Sequence, residues 1–375
     1  MNVWDALVGQ PNAVATLQRA VDGSSHAMTH AWLFTGPPGS GRSVAARAFA
    51  AGLQCGEAGC GQCQACTTAL AGTHADVTIV RTEQLSIGVD EVRSLARRAA
   101  MSPTMRRWQT LIIEDADRVT ERGADALLKA IEEPAPRTVW MLCAPTPDDV
   151  VVTLRSRCRQ VPLVTPSEEA VTTILTSEGI PPTEARFAAR VCHGHIGRAR
   201  ALAKDPEVAR QRRDALEIPA KLTNLGVCLE AAAWAVTTSG EQAAAVTGPL
   251  DAEEKRQLSV ALGLDPAKAT PRGSATAMKD LEEQQALRAK RFVRDRLDSI
   301  LTELTGYYRD VLMVQSGAGD LPVNTDCLEA ISHTATTSSP EATLRRIDAI
   351  VDCRAALAGN VAPQLALEAL MVALA

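Results

Sequence analysis

Gly36-Pro37-Pro38-Gly39-Ser40-Gly41-Arg42-Ser43 lies between a short apolar run, Ala31-Trp32-Leu33-Phe34-Thr35, and an Ala-rich segment that follows Ser43. The stretch has the form G-x-x-x-x-G-K-[ST] of a phosphate-binding loop. Its glycines let backbone N–H groups approach phosphates, Lys reaches the β/γ-phosphates and Ser/Thr holds magnesium. Arg42 stands where the pattern asks for Lys. A compact ammonium tucks against phosphate oxygens, whereas a guanidinium is broad and planar. Gly36, Gly39, Gly41, Arg42 and Ser43 are thus candidate nucleotide-binding residues in a degenerate loop, with ATP or ADP as the ligand class. Three readings stay open from the loop alone: an engine, a binding site or a relic. The apolar run before it suits a strand buried on both faces, and a helix over 43–53 would add its own N–H groups and dipole to the site.

Cys55, Cys60, Cys63 and Cys66 follow that helix at spacings of four, two and two intervening residues, with Gly56, Gly59 and Gly61 permitting tight turns. Such a set can converge on one tetrahedral zinc with no position left for water, which predicts a structural site. A plant-type iron–sulfur pattern also opens C-x4-C-x2-C, but its fourth ligand is remote. The other six cysteines sit in apolar or helical surroundings and read as small buried hydrophobes.

Strand signals at 77–80, 109–113, 138–143 and 160–163 alternate with helical ones at 88–100 and 120–133, predicting a parallel, doubly wound sheet over 30–163. The third strand runs into Glu114-Asp115-Ala116-Asp117. Carboxylates at that end of a buried strand are where a phosphate-loop protein places its magnesium-holding and water-activating groups. The usual order is Asp then Glu, and here it is Glu114 then Asp115. A displacement of about 1 Å costs roughly a hundredfold in rate, so hydrolysis is disfavoured on a second ground and magnesium binding is left open.

Beyond a linker at Val164-Thr-Pro-Ser, short helices are expected over 167–178, 183–193 and 196–204. The remainder is rich in Ala, Leu, Arg and Glu, with breaks near Ser239-Gly240, at Pro266 to Gly273, at Ser316 to Pro322 and at Gly359-Asn360, which reads as a helical bundle. The expected domains are 1–165, carrying the cysteine module at 55–66, then a helical 166–206 and a helical 207–375. A length of 375 residues exceeds one ordinary core, and a net charge of −5 argues against a surface that clings to nucleic acid as a whole. The local cluster Arg93, Arg97, Arg98, Arg106 and Arg107 reads first as a solvated helix face plus a loop, and Arg288 to Arg296 as the polar face of a helix. His193 and His195 read as ordinary residues of the middle domain. The N-terminus lacks a basic-then-apolar leader and no run of about 18 apolar residues occurs, so a soluble, cytoplasmic protein is expected.

Taken together, Gly9-Gln10, the loop at 36–43, the cysteine cluster after the first helix, Ala126-Leu-Leu-Lys-Ala-Ile-Glu-Glu-Pro134, Ser156-Arg157-Cys158 and Asn360-Val-Ala-Pro-Gln-Leu-Ala-Leu-Glu368 resemble the bacterial DNA polymerase III clamp-loader subunits. The resemblance implies an α/β AAA+ nucleotide-binding domain with a zinc module, a small helical lid and an all-α collar through which five subunits form a ring. It also implies ATP-driven loading of a sliding clamp onto primed DNA, with gamma/tau and delta subunits as partners and no polymerase site in the chain. The hydrolysing gamma/tau branch carries Lys in the loop, Asp-Glu after the third strand and a lid Arg where Gly197 stands here. Arg42, Glu114-Asp115 and Gly197, with no long extension past residue 375, are therefore similar to the delta-prime branch, which implies weak or no ATPase of its own. In this family the Arg of Ser156-Arg157-Cys158 reaches a neighbour's ATP site as a trans arginine finger. The alternative is that Arg157 pairs with a carboxylate of its own domain. A hydrolysing gamma/tau-type subunit and an independent AAA+ remodelling ATPase are the rival readings.

Overall fold

The fold is described from a computed structural model over residues 2–23, 27–81, 86–105, 107–262, 274–317 and 322–375. It forms two compact units, Met1–Lys204 and Asp205–Ala375. The first holds the helix α1 (Pro11–Val21), the strand β1 (Ala31–Thr35), α2 (Arg42–Gln54), α3 (Gln64–Ala71), β2 (Val77–Val80), α4 (Val89–Ala99), β3 (Gln109–Ile113), α5 (Glu121–Glu132), β4 (Thr138–Ala144), α6 (Val152–Arg155) and β5 (Arg159–Pro162). Then come α7 (Glu168–Ser177), α8 (Pro182–Val191) and α9 (Ile196–Lys204). The strands pair in parallel in the order β2-β3-β4-β1-β5, with Leu33 opposite Leu142 on one side and Gln160 on the other.

Every residue of β1, β3 and β4 is buried, and the period of two sends alternate side chains to opposite faces. Trp32, Phe34, Ile112, Val139, Met141 and Cys143 pack with Leu17 of α1 and Phe49 and Leu53 of α2. Leu33, Leu111, Ile113, Trp140 and Leu142 pack with Val92 and Leu95 of α4 and Leu127 and Ile131 of α5. Helices therefore cover both faces, the doubly wound architecture that the alternating signals predict. The helix ends follow local chemistry. Thr120 caps α5 by accepting the Gly123 N–H, Ser167 caps α7 by accepting that of Ala170, and Pro134 stops α5 two residues after its last turn.

The second unit contains only helices among its described residues: α10 (Pro206–Lys221), α11 (Leu225–Ala261), α12 (Ser274–Ser316), α13 (Leu328–Thr337), α14 (Pro340–Ala358) and α15 (Pro363–Leu374). Leu297, Leu301, Leu304, Tyr307 and Tyr308 of α12 form its core with Ala232 and Ala235 of α11 and Leu367, Leu370 and Met371 of α15. Arg212, only 6% exposed, is neutralised by Asp326 and Glu303, while fully buried Asp310 accepts from the backbone N–H and side-chain amide of Asn324.

Two expectations are corrected here. No break occurs at Ser239-Gly240, where α11 runs through. Glycine in a helix interior costs about 1 kcal/mol, and packing of α11 along α12, which buries Ser239 and Ala243, outweighs it. Arg288 is not on a polar surface: at 7% exposure it binds Asp251 and Glu254 across the helix pair. The break expected at 266–273 lies outside the described residues, and the one at Gly359-Asn360 separates α14 from α15.

Candidate phosphate loop, exposed arginine and cysteine cluster

The glycine loop leaves β1 and enters α2, so its backbone is anchored at both ends by buried elements. Gly36 has φ 154°, and a Cβ there would stand 2.5 Å from the Leu163 carbonyl oxygen. Gly39 has φ 87°, and its Cβ would lie 2.6 Å from Cα and 2.5 Å from Cγ of His195. These two positions exclude any side chain. Gln10, 5% exposed, clamps the loop: its amide donates to the Ser40 and Val164 carbonyls and its Oε1 accepts the Val164 N–H at 3.0 Å. A cleft of about 530 Å3 opens beside the loop, lined by Asp5 to Val8, the loop from Gly39 to Val44, Ile174 of α7 with Glu178 just past its end, and His195 to Gly197 with Arg200 at α9.

Arg42 begins α2, and its Nη1 is buried with no hydrogen-bond partner among the described residues, as is the Ser40 hydroxyl. Both are unmet polar groups at the loop, and such groups are costly when left unsatisfied. The acidic cluster behaves differently. Glu114, with a side chain 7% exposed, is bound by the Arg47 guanidinium of α2 at 2.8 Å. The first carboxylate after β3 is thereby neutralised from within the fold. Burial, reinforced by Asp115, holds the Asp117 carboxyl above its ordinary value.

His195, read from the sequence as an ordinary residue of the middle domain, packs against the glycine loop. It lies on Gly39, its Nδ1 accepts the Arg198 N–H, and burial, with Arg198 and Arg42 nearby, lowers its pKa and favours the neutral ring. Gly197 lines the cleft, and on α9 the cation that lines it is Arg200, about one turn further along, rather than Arg198. Arg200 is held by Glu178 at 2.5 Å, and Lys204 joins the same carboxylate at 2.8 Å.

Ser156-Arg157-Cys158 lies between α6 and β5, away from that cleft's lining. Arg157 is 40% exposed; its Nη2 meets Glu132 Oε1 at 2.5 Å and its Nη1 donates to the Thr153 carbonyl at 2.9 Å and to Ser156 Oγ at 3.3 Å. Pairing with a carboxylate of its own domain, the alternative set against the finger role, is therefore realised in the isolated chain. Cys158 packs against the core formed by α4 and α5, and burial pushes its thiol up to about 12, so it is inert at neutral pH.

The four cysteines form one cluster, with all ligand atoms within 4.8 Å of one another. Cys55 Sγ lies 3.7 Å from both Cys60 Sγ and Cys63 Sγ. Zn–S bonds of about 2.3 Å place tetrahedral sulfurs roughly 3.8 Å apart, so the donor set fits zinc. Backbone N–H groups of Glu57, Cys60, Cys63 and Cys66 point at three of the sulfurs. Burial alone would raise Cys55, but the N–H groups of Cys60, Glu57 and Gly59 outweigh it and bring the thiol to about 6. The module is stapled by the N-terminal turn, through Val3 N–H to the Gly59 carbonyl and the Trp4 indole N–H to that of Ala58, both 3.0 Å. Nothing in the sequence pattern signals this staple, which spans more than 50 residues.

Of the basic cluster, Arg93 faces a groove of about 820 Å3 between α4 and α5 with Arg122 and Lys129, whereas Arg107 is spent on the carbonyls of Leu53 and Cys55. Arg106 lies outside the described residues. No helix among the described residues is long and apolar enough to cross a membrane.

Residues 9–167 match the family described as DNA polymerase III, delta subunit. The chain is 34% identical over 180 residues to the delta' subunit of DNA polymerase III from Escherichia coli, covering 46% of this chain and 54% of that one. It is 27% identical over 212 residues to delta' of Bacillus subtilis, covering 56% and 64%. It is also 34% identical over 161 residues to gamma/tau of Mycobacterium tuberculosis, covering 42% of this chain and 28% of that one. The matched stretch thus spans under two thirds of the length of each of these relatives. Among solved structures, a DNA polymerase III gamma subunit-related protein from Thermotoga maritima matches at 16% identity and TM-score 0.42, over 96% of this chain and 97% of that one.

Proposed function

We propose that this chain is a delta-prime-type subunit of a replicative clamp loader, one that holds its own nucleotide loop without turnover and lends Arg157 to a neighbouring subunit's ATP site. The observation that carries the first half is the Arg47–Glu114 ion pair. Binding of phosphate draws on backbone N–H groups and on a cation, which Gly36 to Ser43 and Arg42 can supply. Hydrolysis also needs a free carboxylate for magnesium and a second for water, and Glu114 is already neutralised.

The second half rests on Arg157, whose exposure of 40% leaves it within reach of another chain. An arginine supplied across a subunit boundary stabilises the charge that develops on the transferring phosphoryl group and is worth about 10³- to 10⁵-fold at the site it serves. Ser156 orients the guanidinium and Cys158 anchors the segment to the core. The partners on this reading are gamma/tau and delta subunits, with a sliding clamp and primed DNA handled by the assembled ring. Cys55, Cys60, Cys63 and Cys66 would hold a structural zinc that fixes the N-terminal turn beside the cleft.

The test is reconstitution with gamma/tau, delta, clamp and primed DNA. Arg157→Ala is expected to leave the ring assembled while depressing its DNA-stimulated ATPase and clamp loading. Wild-type loading by that complex would refute the finger role, and ATP turnover by the purified chain alone would refute the inert loop.

A further inference from the structure

Arg157 has a partner that the sequence motif does not contain. Glu132 ends α5, one residue after Ile131, which is fully buried in the core beneath. The backbone that presents the Glu132 carboxylate is therefore fixed, although the carboxylate itself is 41% exposed. It meets Arg157 Nη2 at 2.5 Å while Thr153 and Ser156 take Nη1. A guanidinium has five N–H donors in a rigid fork. These three contacts use two of its nitrogens, and the fork retains further N–H groups for an acceptor outside the chain.

We propose that Glu132 is a positioning residue for Arg157: it holds the guanidinium in the orientation in which its unused donors face a neighbouring subunit. This rests on the reading that Arg157 acts in trans. A free arginine side chain samples many rotamers, and one ordered before the subunits meet surrenders less of that freedom when the phosphoryl group moves. Glu132 does not touch the neighbour's nucleotide. It acts through Arg157 alone, and so its effect requires Arg157 to be present.

The reconstituted complex tests this with Glu132→Gln, which keeps the shape and removes the charge, with Glu132→Asp, and with Glu132→Gln in the Arg157→Ala background. An exposed ion pair supports a modest effect, so Glu132→Gln is expected to lower kcat of DNA-stimulated ATP hydrolysis about two- to fivefold with KM for ATP unchanged. Glu132→Asp should recover part of that loss. Glu132→Gln added to Arg157→Ala should change nothing further. If Arg157→Ala lowers kcat and Glu132→Gln does not, the positioning role is overturned and the trans reading stands. If Arg157→Ala itself has no effect, the trans reading fails first. A further drop in the double variant, or a drop in Glu132→Gln that tracks weaker ring assembly, would assign Glu132 a structural role and overturn the proposal.

Discussion

Replacing Arg47 with Ala isolates the ion pair on which the proposed lack of turnover rests. The change leaves the Glu114 carboxylate, 7% exposed, without its cation. Removing one partner of a fully buried ion pair costs about 3–5 kcal/mol. Arg47 is 31% exposed, and water can partly replace it, which reduces the expected cost to about 2 kcal/mol. For a unit of roughly 200 residues, 1 kcal/mol moves Tm by about 2–4 °C, so the transition of the first unit should fall by about 4–8 °C. Glu114→Gln in the same background removes the stranded charge and should recover much of the loss. Calorimetry of the wild type, both single variants and the double variant then yields a coupling energy of about 1–2 kcal/mol, within the range for residues in contact. A coupling within about 0.3 kcal/mol of zero, or an Arg47→Ala protein that melts like the wild type, would refute the view that Glu114 is committed to Arg47.

Two further outcomes follow from the Glu178 ion pairs and from the cysteine module. Hydrogen bonds from Arg200 and Lys204 hold Glu178 at about 2, below its ordinary 4.5. Because the folded value is the lower one, these ion pairs stabilise the junction of α9 with the end of α7 above about pH 4.5, and that contribution is lost as pH falls towards 2. Solvent screening of these exposed side chains keeps it under about 1 kcal/mol, and Arg200→Ala should flatten that part of an acid-unfolding curve; an unchanged curve would contradict the assignment. Metal analysis of the purified chain should find one zinc in a colourless protein, with Cys63→Ser losing it; visible absorption from a brown protein would instead point to iron and sulfur.

The sheet was legible because its central strands are buried on both faces, and continuous apolar runs such as Ala31–Thr35 and Thr138–Ala144 admit few other structures. The helices α4 and α5 were legible because their apolar residues recur at helical spacing, and α5 also carries the Thr120 cap and a proline stop at Pro134. What escaped was short or non-local. The helix α3 begins inside the cysteine cluster, where Cys63 Sγ rather than a hydroxyl or carboxylate caps it, and α6 is only four residues long. The apparent break at Ser239-Gly240 weighed a local propensity that contact between two long helices overrides. The site shows the same division. The loop, the carboxylates and the Ser-Arg-Cys triplet could be read as motifs. Arg47 bonding Glu114 at a separation of 67 residues could not, because nothing in either residue's neighbourhood encodes the other. His195 escaped for a similar reason: its role comes from contact with Gly39, more than 150 residues earlier.

Arg42 and Arg47, both on α2, act on different requirements of the same chemistry. Arg42 puts one cation in the place of another, and among the described residues its buried Nη1 has no acceptor of the kind a phosphate oxygen provides. Arg47 supplies a cation where a magnesium ion would need a bare carboxylate. On the proposed reading, Arg42 alters how phosphate is held, whereas the Arg47–Glu114 pair removes part of what turnover requires. Restoring Lys at position 42 alone should therefore not create a hydrolase, because the Arg47–Glu114 pair is untouched by it. On the proposed reading, a loop disabled in this way fixes α2 and the strand before it, and the chain's remaining contribution to phosphoryl transfer lies at Arg157, in another subunit's site.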